Sequence, residues 1–115
     1  MKIFVFGSNR EGRHGKGAAL CAKLQHGAVY GQARGRQGRS YAIVTKELRK
    51  DHPPVTLNEV WSEVNHFIVH ALLYPNDTFE VTRIGCGLAG FKEEDIKAMF
   101  KNAPPNCNLP EGWRE

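Results

Sequence analysis

Short apolar runs alternate with polar, glycine-rich breaks along this chain, and one longer segment carries a helical stripe. Lys2 to Phe6 is a short, β-prone apolar run that predicts a buried strand, broken by Gly7-Ser8-Asn9. Arg10 to Lys16 is a basic glycine loop. Gly17 opens a helix over Ala18 to Leu24, rich in Ala and Leu, which Gly27 stops. Ala28-Val29-Tyr30 reads as a short strand or an extended connection, and Gly31 to Arg39 as a surface loop of glycine and arginine. Ser40 to Thr45 is the next strand, with Tyr41, Ile43 and Thr45 on one face and Lys46 where it ends. Leu48 to Val55 is a polar connection. Thr56-Leu57-Asn58-Glu59 is a capping box, the plainest helix start in the sequence. Leu57, Val60, Trp61, Val64, Phe67, Ile68, Ala71 and Leu72 then keep helical spacing, the stripe of a helix packed on a sheet. Pro75-Asn76-Asp77 ends it.

The opposite stripe of that helix, Glu59, Glu63, His66 and His70, reads as a solvated face. Glu63 and His66 have the Glu-x-x-His spacing of di-metal bundles, but closing such a site takes a second helix of the same kind. A third strand is predicted by Phe79 and the β-prone residues Val81 to Ile84. It runs into three glycines within six residues, Gly85, Gly87 and Gly90. A helix over Lys92 to Phe100 follows, with Ile96, Met99 and Phe100 on its buried side. Asn102 to Glu115 holds three prolines and is expected to wrap the surface, with Leu109 and Trp113 pinning it down or meeting a second subunit.

Strand and helix therefore alternate three times. This order predicts one α/β domain over residues 1–115, a parallel sheet with helices outside and right-handed crossovers. An apolar fraction of 41% can supply a small core. No apolar run is long enough to span a membrane. The cysteines at 21, 86 and 107 are widely spaced and odd in number, which suggests neither a zinc site nor a disulfide framework and makes a reducing cytoplasm the default.

Charge changes the picture. Residues 1–50 hold 11 Lys/Arg against 2 Glu, or +9, whereas residues 51–115 hold 5 Lys/Arg against 10 Asp/Glu, or −5. A basic, glycine-rich half suggests a phosphate-bearing partner. In open α/β sheets ligands bind beyond the carboxyl ends of the strands. Three motifs fall there: Gly7-Ser8-Asn9 with its basic loop, Thr45-Lys46, and Gly85-Cys86-Gly87-Leu88. The last precedes a helix, and strand, glycine turn and helix present free backbone N–H groups to an anion. Gly15-x-Gly17 lacks the third glycine of a dinucleotide fingerprint, and no Walker lysine motif occurs.

Ile84-Gly85-Cys86-Gly87-Leu88 followed by a helix resembles the phosphate loop of macrodomains. It is most similar to the branch that removes ADP-ribose from glutamate or from DNA bases. Gly12 to Ala19 resembles that branch's glycine loop and helix start at the distal ribose, Tyr41 to Lys46 its strand ending in Ile-Thr-Lys, and Thr56 to Val60 its next capped helix. The resemblance spans about residues 3–100. It implies a small three-layer α/β/α sandwich with a mostly parallel sheet. The combination of Phe6-Gly7-Ser8-Asn9, Arg13-His14-Gly15-Lys16-Gly17-Ala18-Ala19 and Ile84 to Gly90 is also similar to small proteins of tailed phages and prophages. The resemblance implies that Lys46 stands at the position of the nucleophilic lysine. The family's catalytic aspartate is replaced by Ala89, and its first strand and adenine-contacting aspartate have no counterpart.

The resemblance and the motifs together give a candidate ligand-binding set: Gly7, Ser8, Asn9, Arg13, His14, Gly15, Gly17, Thr45, Lys46, Gly85, Cys86, Gly87, Leu88, Ala89, Gly90 and Phe91. No cofactor or metal is expected. The partner expected is a nucleotide of the ADP-ribose type or a cyclic nucleotide signal, sequestered without turnover, for instance by a phage countering a host defence. A homo-oligomer is compatible with this. The alternatives are an ADP-ribosyl hydrolase acting through Lys46, with Glu47 or Glu11 as stand-in proton donor, and a nucleic-acid-binding module using Arg34, Arg36 and Arg39. The first expectation also puts Arg34-Gly35-Arg36 at the border of the pocket.

Overall fold

The computed structural model describes residues 1–87 and 89–114. Across these residues the order is β1 (Lys2–Asn9), α1 (Gly17–Gln25), β2 (Gly35–Gln37), β3 (Ser40–Lys46), α2 (Leu57–Leu73), β4 (Thr78–Val81), α3 (Glu93–Met99) and β5 (Cys107–Asn108). The sheet order is β2-β3-β1-β4-β5. β1 runs parallel to both β3 and β4, β4 runs parallel to β5, and only β2 is antiparallel.

Alternation along β1 builds the layers. Ile3 and Val5 join Tyr41, Ile43, Phe67, Phe79 and Phe100 in the larger core, under α2 and α3. Phe6, with Phe4 packed alongside, joins Ala19, Ala22, Ala28 and Ala42 under α1. The small side chains of α1 let that helix lie close to the sheet. The result is the expected three-layer α/β/α sandwich with a mostly parallel sheet.

Two strands lie where loops were expected. The glycine-arginine stretch forms β2, and a two-residue turn at Gly38-Arg39 joins it to β3. Gly38 takes φ 58°, the positive value that the first position of such a turn requires. Its missing Cβ matters as well, since one would lie 2.6 Å from Gly27 O. β2 pairs with the amino-terminal half of β3, so Arg34 and Arg36 reach Glu63 (2.9 Å) and Asp77 (3.3 Å), and neither lines the cleft described below. The expectation that this cluster borders the pocket is therefore wrong. Its glycines made it look like a mobile loop, whereas they supply the turn.

Residues 102–114 wrap the surface and add β5. Trp113 is 3% exposed, packs tilted against Phe100 with ring centres 5.4 Å apart and donates Nε1–H to Glu93 Oε1 at 3.1 Å. Arg114 donates to the carbonyls of Ala103, Pro104 and Cys107, which ties the tail down.

The capping box of α2 forms as expected: Thr56 Oγ1 accepts from Glu59 N and the Glu59 carboxylate accepts from Thr56 N, both at 3.2 Å. Its apolar stripe is narrower than the periodicity suggests. Val60, Val64, Phe67, Ile68 and Ala71 are buried, while Leu57, Trp61 and Leu72 stand exposed. His70, read as solvated, is half-buried against the rings of Tyr74, Tyr41 and Phe79.

Candidate functional site

β1 continues through Gly7-Ser8-Asn9 instead of breaking there. It pairs Gly7 with Ile43 and Ser8 with Val44, and shifts register before Asn9 meets Lys46. Gly7 lets its neighbours pass close: a Cβ there would lie 3.3 Å from Thr45 Oγ1 and 3.5 Å from Gly85 N. The three strand ends thus come within contact of one another. Thr45 Oγ1 donates to Ser8 O (3.2 Å), and Thr82 donates both N–H (3.1 Å) and Oγ1–H (2.8 Å) to Val5 O.

A cleft of about 650 Å³ opens above these ends. Of the expected site residues, Gly7, Ser8, Asn9, Arg13, Gly15, Gly17, Thr45, Lys46, Gly85, Gly87 and Ala89 line it. Leu88 lies outside the described residues. His14, Cys86, Gly90 and Phe91 are not among the lining residues. His14 is fully buried and braces the basic loop from behind: its Nε2 faces Gln32 O at 3.1 Å and Gln37 Oε1 at 3.3 Å, so that nitrogen carries the hydrogen. Cys86 donates its thiol to Ile84 O at 3.3 Å. Burial pushes that thiol's pKa up, so it stays protonated and holds the turn. Phe91 packs against the larger core, and its N–H closes the glycine turn on Gly85 O at 2.8 Å.

Asn9 fixes the basic loop. Its side chain donates to Arg13 O and accepts from Arg13 N, both at 2.8 Å, while Asn9 O accepts from Gly12 N at 2.9 Å. The loop delivers the chain to α1, whose first residues Gly17, Ala18 and Ala19 line the cleft. α1 has no side-chain cap and no acidic residue in its first turn. Its first three N–H groups precede the first i→i−4 bond, from Leu20 N to Lys16 O, so the positive end of its dipole faces the cleft uncompensated.

The helix after the Gly85–Gly90 turn does not act this way. α3 begins only at Glu93, and its first turn holds Glu93, Glu94 and Asp95. The turn keeps the backbone donors expected of it: among the described residues, the N–H groups of Gly87 and Ala89 meet no acceptor. The helix dipole thus comes from α1, on the other wall of the cleft.

Among the described residues the lining carries the cations Arg13, Lys16, Lys46 and Arg83 and no carboxylate. Arg13 pairs with Glu11 at 3.0 Å and Arg83 with Glu93, all on exposed or half-exposed side chains. Exposed pairs contribute about 0–1 kcal/mol, so an incoming anion can replace them.

Behind Lys46, a chain of ion pairs binds the walls together. Arg10 meets Glu47 (3.2 Å) and Glu59 (2.6 Å), Arg49 meets Glu47 (2.8 Å) and Glu11 (3.5 Å), and Arg10 also donates to Pro53 O (2.7 Å). The Glu47 side chain is 1% exposed. Hydrogen bonds from Arg49, then Arg10, hold its carboxyl down to about 2 despite the opposing effect of burial. Glu47 is therefore an ionised anchor at neutral pH and cannot donate a proton, and Glu11 is committed to Arg13 and Arg49. Among the described residues no cluster of three or more His, Cys, Asp or Glu could hold a metal ion.

Lys16, Ala18, Ala19 and Ile84 lay within the motifs but outside the candidate set, and sequence reading missed Tyr30, Leu48, Thr82 and Arg83; all eight line the cleft. Lys16, Ala18 and Ala19 follow from the helix start itself. Nothing local marks Tyr30, which arrives through the chain's return after α1.

No family model matches the sequence, and no curated protein matches it. Solved structures do. A protein of unknown function from Bacteroides thetaiotaomicron superposes with a TM-score of 0.60 and 22% identity, over 87% of this chain and 78% of its own. A second protein from that organism gives 0.57 and 21%, over 87% and 79%. A macrodomain protein from Streptomyces coelicolor gives 0.58 and 15%, over 89% and 79%. The fold is macrodomain-like.

Proposed function

We propose that the cleft binds a phosphate-bearing nucleotide of the ADP-ribose type and holds it without turnover. One observation carries this reading: an uncapped helix start, free N–H groups of a glycine turn and four cations converge on one cleft whose described lining has no carboxylate. Backbone N–H groups at a helix start, together with cations, suit a diphosphate. The volume fits a small-molecule ligand, for which about 300–1,000 Å³ is usual. The macrodomain likeness adds the ADP-ribose class. Likeness of the glycine motifs to phage proteins suggests a setting, the withdrawal of a nucleotide signal in an infected cell.

Retention follows from the acid–base inventory. Lys46 lines the cleft, but Ala89 stands where a proton donor would be needed, and Glu47 and Glu11 are occupied by arginines. Loss of general acid help typically costs a factor of about 10² to 10⁴. The test incubates the protein with excess ADP-ribose, ADP-ribosylated peptide and ADP-ribosylated DNA, then recovers ligand after denaturation. Unchanged ligand, with a thermal shift matching about 2.7 kcal/mol at 100 times Kd, is the expected result. Multiple turnovers abolished by Lys46→Ala would replace this reading with the hydrolase.

A further inference from the structure

Tyr30 is the one aromatic residue among the described lining residues, and it stands 55% exposed there. The segment carrying it is held rigidly. Gly31 N donates to Gly12 O at 2.8 Å, Gln32 N to Val29 O at 3.0 Å, and Val29 N to the side chain of the buried Gln37 at 2.8 Å. Gly12 takes φ 68°, and a Cβ there would lie 2.5 Å from the carbonyl carbon of Gly31. The turn bearing Tyr30 and the basic loop are thus in backbone contact, fixed relative to one another by a residue that can only be glycine. Lys23 Nζ lies 5.0 Å from the centre of the Tyr30 ring, and the His14 ring meets it edgewise at 6.4 Å. Apart from those two contacts the ring has no aromatic or cationic neighbour among the described residues.

We infer that Tyr30 is a stacking platform for the nucleobase, and so the residue by which this cleft selects a base-bearing ligand over a bare phosphate. The inference rests on the nucleotide reading above and names the contact that reading lacks, since the glycine turns and cations recognise phosphate alone. The hydrogen-bonded turn fixes where the ring is carried, and an exposed ring so placed can take a base on its open surface with only its own side-chain torsions to order.

The experiment titrates ADP-ribose and inorganic pyrophosphate into wild type, Tyr30→Ala, Tyr30→Leu and Tyr30→Phe, with melting curves to confirm folding. Tyr30→Ala and Tyr30→Leu are expected to weaken ADP-ribose about tenfold, the scale of one base–aromatic stack. Pyrophosphate should bind them as it binds wild type, and Tyr30→Phe should stay within about twofold of wild type for both, because the ring stacks without its hydroxyl. If wild type binds ADP-ribose and Tyr30→Ala binds it equally well, the platform is wrong and the nucleotide reading stands. Equal weakening of ADP-ribose and pyrophosphate also sinks the platform, since Tyr30 would then only shape the loop. If wild type binds neither ligand, both readings fall together.

Discussion

Gly87→Val separates binding from folding, and the structure says why. A Cβ built on Gly87 meets no heavy atom within 4 Å, and the residue does not take a positive φ. A side chain there has nothing to displace in the fold and projects into open space beside a cleft that Gly87 lines. The expected change in stability is that of an ordinary surface substitution, within about 0.5 kcal/mol. For a domain of this size that is about 2–3 °C in Tm. Binding should suffer far more. The N–H of Gly87 is free of protein acceptors among the described residues, and a branched side chain beside it blocks an anion's approach. A lost charge-assisted hydrogen bond costs about 1.5–3 kcal/mol, or about 10- to 150-fold in Kd. Calorimetric titration with ADP-ribose, paired with melting curves, reads both quantities. Gly85→Val is the contrasting control: Gly85 takes φ 73° and its Cβ would meet Phe91 at 3.3 Å and Ile96 at 3.4 Å, so that variant should lose stability outright. A Gly87→Val protein that binds ADP-ribose like wild type would refute the placement of the anion at this turn.

Two further predictions concern acid. Glu47 is held down from 4.5 to about 2, so its stabilising pairs are complete above about pH 4.5 and lost as pH falls toward 2. The Tm advantage of wild type over Glu47→Gln should shrink through that window, and an unchanged advantage at pH 2.5 would contradict it. His70 is held below its usual 6.5, first by burial and then by Arg36, and its Nε2 is buried without a hydrogen-bond partner among the described residues. The unfolded chain therefore takes up the proton first, and stability falls as pH drops below 6.5. His70→Phe should flatten the Tm profile just below pH 6.5, and an identical slope in both proteins would show that another group is responsible.

How much of this was legible in the sequence depended on whether the signal was local. The capping box at Thr56 and Glu59 sits within four residues and formed as read. The three strand ends were placed by alternation of element types, which survives errors of a few residues in each boundary. The extent of β1 was not legible, because Gly7-Ser8-Asn9 looks like a turn. Its strand conformation is set by pairing with Ile43 to Lys46, more than thirty residues away. β2 failed for a different reason: its partner β3 begins only two residues on, but a stretch rich in glycine carries little strand propensity, and only Gly38 serves the turn. Leu57, Trp61 and Leu72 share the helical period of the core yet stand exposed, so the period alone overstates the buried face of α2.

The site shows the same division in its chemistry. Glycines and basic side chains at the strand ends were legible as the lining of one cleft, since strand alternation brings those ends together wherever the loops begin. Roles depended on partners. Glu47 follows Lys46 directly and reads in sequence, with Glu11, as a stand-in for a missing proton donor. In the fold it faces Arg10 from the end of β1 and Arg49 from the next loop, and those two guanidiniums make it the ionised joint between the walls. The glycine turn supplies bare N–H groups as expected, but the acidic start of α3 would repel phosphate, and the favourable helix dipole belongs to α1 on the other wall. A ligand held between a helix start on one wall and a glycine turn on the other is gripped by backbone from both sides. Under the retention proposed above, that backbone grip works together with the cleft's cations, while the arginines that occupy Glu47 and Glu11 leave neither carboxylate placed as a proton donor.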